Sequence, residues 1–113
     1  MAKKGKILVV DDNQGIREAL KILLGGCFER VETLPSPVSL MRTVESLRPD
    51  VILLDMNFRT DINTGNEGLF WLSEIKSRWP EQAVVLFTAY ADIALAVEGM
   101  KRGAEDFVVK PWD

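Results

Sequence analysis

The stretch Ile7-Leu8-Val9-Val10-Asp11-Asp12 places four consecutive apolar residues directly before two acids. A short apolar run that is continuous, not alternating, is typical of a strand buried on both faces of a parallel sheet. Three similar runs follow at Val51 to Leu54, Ala83 to Phe87 and Phe107 to Val109. The weaker, alternating run from Arg30 to Leu34 predicts a fifth strand, at an edge. We therefore expect a five-stranded parallel sheet.

Between these runs the apolar residues recur with helical spacing. Gly25-Gly26 closes the first helical stretch, Ser36-Pro37 opens the second, Pro80 follows the third, and Asp92 can cap the fourth. The predicted buried stripes are, in order, Ile16, Ala19, Leu20, Leu23 and Leu24; Leu40, Met41, Val44 and Leu47; Leu69, Leu72, Ile75 and Trp79; and Ile93, Val97 and Met100. Strand and helix alternate four times before a final strand, which predicts an α/β doubly wound fold with helices on both faces. The stretch Met56 to Glu67 is expected to be a loop.

Length and composition limit the function classes. A chain of 113 residues fits one domain, and a net charge of −3 without a long basic stripe argues against direct nucleic-acid binding. No apolar run is long enough for a membrane span or a signal peptide, and the single cysteine, Cys27, indicates a reducing, cytoplasmic location. We expect Cys27 to be a small buried residue. The absence of histidine excludes a Ser-His-Asp mechanism, a histidine-ligated metal and a phosphohistidine within this chain.

Polar side chains stand where the predicted strands end. Asp11 and Asp12 follow the first strand, Asp55 ends the third, Thr88 ends the fourth and Lys110 ends the fifth. In an open parallel sheet, sites form outside the carboxyl ends of the strands where the winding reverses, which in the order 2-1-3-4-5 lies between strands one and three. Three carboxylates in one crevice repel one another unless a cation lies among them. Oxygen ligands without Cys or His select Mg²⁺ or Mn²⁺.

A carboxylate beside such a cation can attack phosphorus and form an acyl phosphate. The metal ion and the Lys110 ammonium would neutralise the charge on the phosphoryl oxygens, and the Thr88 hydroxyl would donate a hydrogen bond to them. The side chains at the strand ends therefore indicate Mg²⁺-dependent phosphoryl transfer.

The segments ILVVDD, VILLD, LFTA and GAEDFVVKP, in this order and across nearly the whole chain, resemble the response-regulator receiver domain of two-component signalling. The resemblance implies a flavodoxin-like sheet of order 2-1-3-4-5 and phosphoryl transfer from a histidine kinase to Asp55. It also implies a receiver domain over residues 1–113 that stops before the family's final helix. Such a protein is a switch that catalyses only its own phosphorylation and dephosphorylation.

The same resemblance gives the site residues their roles. Asp12 and Asp55 would bind Mg²⁺ directly, Asp11 through water, and Asn57 through its backbone carbonyl. Thr88 and Lys110 would contact the phosphoryl group, and Thr88 would act with Phe107 as the switch. Ala89 and Tyr90 follow Thr88 at the mouth of the crevice, where we expect them to modulate the site, with the bulk of Tyr90 shielding the acyl phosphate from water.

The stretch from Thr88 to Asp113 further resembles receivers of the nitrogen-regulatory, sigma-54 activator type. This implies a sensor histidine kinase as partner and an output of an AAA+ ATPase plus a DNA-binding domain outside this chain. Phosphorylation would change the surface formed by the fourth helix and fifth strand, through which a homodimer would form, and so control transcription.

Two other functions remain open. A Mg²⁺-dependent aspartyl-phosphate phosphatase usually carries Asp-x-Asp after its first strand, whereas this chain has Asp11-Asp12-Asn13. A pseudo-receiver that only binds other proteins would not need the complete acidic site. A flavodoxin or dinucleotide-binding protein would need a phosphate-cradling loop after the first strand, where two acids instead repel phosphate.

Overall fold

The computed structural model describes residues 4–56, 67–89 and 92–110. Strands and helices alternate as the apolar pattern predicts. The strands are β1 (Lys6–Val10), β2 (Arg30–Leu34), β3 (Val51–Asp55), β4 (Ala83–Thr88) and β5 (Asp106–Val109). The helices are α1 (Gln14–Leu24), α2 (Leu40–Leu47), α3 (Glu67–Arg78) and α4 (Ile93–Lys101), and a 3₁₀ turn at Pro37–Ser39 leads into α2.

The five strands form one parallel sheet in the order β2-β1-β3-β4-β5, which confirms the predicted flavodoxin-like winding. Val10 pairs with Leu54, Asp55 with Phe87, and Thr88 with Val109. This register brings the carboxyl ends of β1, β3, β4 and β5 to one edge of the sheet. The residues that follow these strands therefore lie close together at this edge.

The main core lies on the face of the sheet covered by α2 and α3. Leu8, Ile52, Leu54, Val84 and Leu86 supply the sheet side and are completely buried. The helices contribute the predicted apolar stripes, with Leu40, Val44, Leu47, Leu69, Leu72 and Ile75 buried and Met41 and Trp79 partly buried. Burying this area is the principal free-energy gain that holds the sheet and helices together.

The predicted stripe of α1 is only partly buried. Ile16 packs inward and Leu20 and Leu24 are half-buried, but Ala19 is exposed and Leu23 is 69% exposed. The helical period was therefore right, while the width of the buried face was not. Cys27, just beyond α1, is exposed, so its predicted burial was wrong.

The predicted inward face of α4 was also wrong for two of its three residues. Val97 and Met100 are exposed, Ile93 is half-buried, and Ala96 and Gly99 are the fully buried positions. A Cβ atom on Gly99 would collide with Cδ1 of Leu86 in β4. Small residues thus let α4 approach the sheet closely, which turns its larger apolar residues outward.

No helix within residues 4–56, 67–89 and 92–110 combines the length and the apolarity that crossing a membrane requires.

Candidate functional site

Three carboxylates converge at the carboxyl edge of the sheet. Asp11 and Asp55 are almost completely buried and Asp12 is partly buried. Each offers a carboxylate oxygen, and the three oxygens lie within 4.8 Å of one another. The arrangement predicted from the strand ends is therefore present, and it concentrates three negative charges where solvent screens them weakly.

Hydrogen bonds hold the β1–α1 connection that carries two of these acids. The backbone N–H of Asp11 donates to the Leu34 carbonyl at 3.1 Å, and Asp11 Oδ1 accepts from the Asn13 N–H at 2.9 Å. Asn13 is also the N-cap of α1, because its side-chain oxygen accepts from the Ile16 N–H at 3.0 Å. Asn13, and neither aspartate before it, is therefore the N-cap residue of α1.

Arg17 fixes the same connection from within α1. Its Nη1 donates to the backbone carbonyl of Asp11 at 2.9 Å. The guanidinium therefore anchors the backbone of an acid whose side chain lies in the site, and so orients that carboxylate.

Lys110, directly after β5, binds two of the carboxylates. Its Nζ lies 3.0 Å from Asp55 Oδ1 and 3.3 Å from Asp11 Oδ2. Burial lowers the pKa of the Lys110 ammonium, but the charges of Asp55 and Asp11 and the hydrogen bond to Asp55 outweigh it, so the pKa is raised above its ordinary value. The side chain is therefore a fixed positive charge in the neutral pH range.

Thr88 is completely buried at the end of β4. Its hydroxyl donates to the carbonyls of Ala89, at 3.2 Å, and Asp92, at 3.4 Å. Both carbonyls belong to the connection between β4 and α4. The backbone carbonyl of Thr88 accepts from the Lys110 N–H at 2.7 Å. Thr88 thus joins the connection before α4 to the strand end that carries the lysine.

Two aromatic residues differ in their surroundings. Phe107 is partly buried and packs against the main core, as its position in an apolar strand predicts. Phe87 lies at the site itself, where the centroid of its ring is 5.3 Å from Lys110 Nζ.

Of the other predicted site residues, Ala89 is half-buried, whereas Asn57 and Tyr90 lie outside the described residues.

The donor set suits a hard divalent cation. All three side chains offer oxygen, the ligand atom that Mg²⁺ prefers. Asp11 Oδ2 is buried and, among the described residues, accepts no hydrogen bond of regular geometry, although the Lys110 ammonium is near. A buried carboxylate oxygen of this kind is satisfied well by a cation.

The sequence matches the family described as the response regulator receiver domain over residues 7–113. The chain belongs to this family. Receiver domains are signalling switches that bind Mg²⁺ at an acidic pocket, and the cluster of Asp11, Asp12 and Asp55 has the composition of such a pocket.

Among solved structures, the receiver is similar to the N-terminal signal receiver domain of a two-component response regulator from Bacteroides fragilis. That structure shares 57% identity at a TM-score of 0.87, over 98% of this chain and 88% of the other. NtrX from Brucella abortus is 31% identical at a TM-score of 0.83, over 97% of this chain and 24% of that one.

Among curated relatives, the DNA-binding transcriptional regulator NtrC of Escherichia coli K12 is 33% identical over 98% of this chain. The receiver spans only 23% of that regulator's length. The chemotaxis protein CheY of Listeria monocytogenes is 29% identical, and the match covers 87% of its length. The resemblance to regulators of the NtrC and NtrX type is therefore confirmed for the receiver portion of those proteins.

Sequence reasoning missed three residues that shape the site. Asn13 and Arg17 are four positions apart at the start of α1, a spacing that places both near the loop before the helix. For Phe87 the sequence indicates only that it belongs to an apolar strand. Its pairing with Asp55 in the sheet was the signal that could have placed its ring at the site.

Proposed function

We propose that this receiver accepts a phosphoryl group on Asp55 from the phosphohistidine of a sensor histidine kinase. The observation that carries the proposal is the grouping of Asp55 with two further carboxylates and with the ammonium of Lys110, 3.0 Å from its Oδ1. Family membership supports the same role.

In the proposed reaction a carboxylate oxygen of Asp55 attacks phosphorus. The phosphorus–nitrogen bond of the donor breaks, its electron pair passes to the imidazole nitrogen, and that nitrogen takes up a proton. Asp11, Asp12 and Asp55, with the backbone carbonyl of Asn57, would hold Mg²⁺ (or Mn²⁺), which neutralises charge on the phosphoryl oxygens. Lys110 stabilises the same negative charge from the β5 side.

Phosphorylation would act on the β4–α4 connection. The Thr88 hydroxyl now donates to two carbonyls in that connection, and a phosphoryl group on Asp55 would compete for it. Redirecting the hydroxyl would release those carbonyls and shift α4 and β5, with Phe107 as the accompanying switch residue. Ala89 and Tyr90 would modulate how long the phosphoryl group survives.

The surface of α4 and β5 is the proposed site of partner binding and homodimer formation. Val97, Met100 and Val108 are exposed apolar side chains on these two elements. NtrC is a DNA-binding transcriptional regulator of which the receiver matches 23%, which supports a DNA-binding output outside residues 1–113. An AAA+ ATPase in the same output is what the resemblance to the nitrogen-regulatory type implies. The receiver itself would bind neither DNA nor a membrane and would act in the cytoplasm.

The test is incubation with acetyl phosphate and Mg²⁺, followed by mass spectrometry of the intact protein. The wild-type chain should gain one phosphoryl group, Asp55→Asn should gain none, and the exposed control Asp106→Asn should behave as wild type. Equal modification of Asp55→Asn would place the acceptor elsewhere. Repeated release of phosphate from phosphate monoesters would favour the aspartyl-phosphate phosphatase instead.

A further inference from the structure

The ring of Phe87 lies beside the ammonium of Lys110. Nζ is 5.3 Å from the ring centroid, within the roughly 6 Å over which a cation is attracted to an aromatic face. Phe87 is only 4% exposed, so little water competes with the ring for the charge. Within the part of the chain that the structure describes, the ammonium therefore lies close to this ring, to Asp55 and to Asp11.

The position of the ring is set by the sheet. Phe87 pairs with Asp55 in the β3–β4 ladder, and paired residues of a parallel ladder project to the same face. The Phe87 carbonyl accepts from the Met56 N–H at 3.0 Å, directly after Asp55. The carbonyl of the next residue, Thr88, accepts from the Lys110 N–H. Both Asp55 and Lys110 are thus tied to the strand segment that carries the ring.

Phe87 is one of the buried hydrophobic residues, but it does not belong to the main core. The main apolar cluster beneath α2 and α3 contains Val84 and Leu86 of β4 but not Phe87, which projects from the other face. The ring of Phe87 is therefore buried, and it also faces a charged group, the ammonium of Lys110.

We propose that Phe87 is a positioning residue that holds the Lys110 ammonium at the acceptor site through its aromatic face. The inference rests on the proposed function, because in a phosphorylation-competent site the carboxylates of Asp11 and Asp55 are engaged by the metal ion and the incoming phosphorus. Unlike the carboxylates of Asp11 and Asp55, the ring keeps its charge distribution throughout the reaction. It keeps the ammonium beside Asp55 while the carboxylates change partners.

Fluorinated phenylalanines at position 87 test this inference. One, two or three ring fluorines withdraw electron density stepwise and weaken the attraction to a cation while changing the shape of the ring little. The readout is the rate constant of phosphorylation by acetyl phosphate at saturating Mg²⁺. We expect its logarithm to fall with each fluorine, to a total loss of about fivefold, the scale of a partly desolvated cation–π contact. Magnesium affinity should change by less than about twofold.

Two controls separate electrostatics from packing. The same fluorination of Phe28, a half-buried ring that makes no cation contact within the described part of the chain, should leave the rate constant unchanged. In a Lys110→Met background, fluorination at position 87 should likewise have no graded effect, because the cation is gone.

The outcomes are distinguishable. A wild-type chain that is phosphorylated but shows no gradient with fluorination at position 87 overturns the role of Phe87 and leaves the proposed function standing. A gradient that persists in the Lys110→Met background also overturns it. A wild-type chain that is not phosphorylated at all overturns the proposed function itself. Should the fluorinated chains fold poorly, Phe87→Leu and Phe87→Trp provide the same comparison, with Leu slower and Trp at least as fast as wild type.

Discussion

The ammonium of Lys110 lies 3.0 Å from Oδ1 of Asp55, although 55 residues separate them along the chain. The same nitrogen is 3.3 Å from Asp11 Oδ2. One cation thus neutralises part of the charge of two buried acids at the edge where β1, β3 and β5 end. A metal ion that uses these carboxylates must share them with the lysine.

Replacing this lysine should therefore separate metal binding from phosphorylation. In Lys110→Met we expect Mg²⁺ to bind more tightly than in wild type, by roughly tenfold if the ammonium repels the divalent ion from about 5 Å at an effective dielectric near that of water. Phosphorylation by acetyl phosphate should slow by about 10²-fold, because a donor to the developing negative charge is lost. Calorimetry and intact-mass kinetics measure the two effects.

The exposed Lys101→Met serves as the charge-matched control and should change neither quantity. Clearly weaker Mg²⁺ binding in Lys110→Met would contradict this account of the site.

The same lysine should make stability depend on alkaline pH. Its pKa is raised above 10.5 in the folded chain, because the pull of Asp55 and Asp11 exceeds the effect of burial. A group with a raised folded pKa contributes its full stabilisation below the unfolded value and loses it as the pH rises through the folded value. We expect the metal-free chain to lose this contribution above about pH 10.5.

Urea unfolding of wild type and Lys110→Met between pH 8 and 12 measures the effect. The difference in unfolding free energy between the two should stay constant up to about pH 10 and shrink above it. A difference that instead disappears between pH 8 and 10 would show that the pKa of Lys110 is lowered, not raised, in the folded chain.

Gly68, in the first turn of α3, should not tolerate a side chain. A Cβ there would lie 2.7 Å from Met56 Cα and 3.0 Å from the carbonyl oxygens of Asp55 and Met56, all backbone atoms at the end of β3. Gly68→Ala should destabilise the fold by about 1–3 kcal/mol and weaken Mg²⁺ binding, because the end of β3 must shift.

Gly26→Ala is the matched comparison, since its Cβ would meet only the Leu23 carbonyl at an ordinary 3.5 Å. Denaturant unfolding and calorimetry on both variants test the contrast, and equal behaviour of the two would refute it.

Arg17 should support metal binding without touching the metal. Its bond to the Asp11 carbonyl orients an acid of the site, and losing a supporting partner of a ligand typically costs about 10- to 100-fold in metal affinity. We expect Arg17→Met to bind Mg²⁺ about tenfold more weakly by calorimetry. Arg42→Met, which removes an exposed arginine from α2, should have no effect; a similar loss there would point to overall charge instead.

The Thr88 hydroxyl should contribute to stability before any phosphorylation. Thr88→Val keeps the shape but leaves the carbonyls of Ala89 and Asp92 without this donor, which should cost about 1 kcal/mol in unfolding free energy. Thr88→Ser keeps the hydroxyl. Although serine is smaller than valine, this variant should lose less unfolding free energy than Thr88→Val. If Thr88→Val and the wild type unfold at the same urea concentration, the two hydrogen bonds contribute nothing to stability.

The sequence allowed the sheet and the acidic site to be predicted because both depend on short-range pattern. Continuous apolar runs marked the buried strands, and Asp11, Asp55 and Lys110 each stand beside the end of a strand. Parallel pairing then brings these ends together without further information. The chemistry of a site at that edge follows from the residue types alone.

Other features depend on how close two elements approach, which no pattern within one element encodes. The inward face of α4 is set by the contact of Gly99 with Leu86, and this contact turns Val97 outward. The contact of Phe87 with Lys110 joins a strand interior to a side chain 23 positions later. Pairwise geometry of this kind becomes visible only in three dimensions.

The hydrogen bonds that flank β4 have a mechanical consequence. The Phe87 carbonyl accepts a hydrogen bond from Met56, the residue after Asp55, and the Thr88 carbonyl accepts one from Lys110. The ends of β3 and β5 are therefore both hydrogen-bonded to the end of β4. A displacement of Asp55 is therefore expected to move the end of β5 with it. The Thr88 hydroxyl, which lies between these two strand ends, also holds the carbonyls of Ala89 and Asp92, so we expect the same displacement to reach the start of α4.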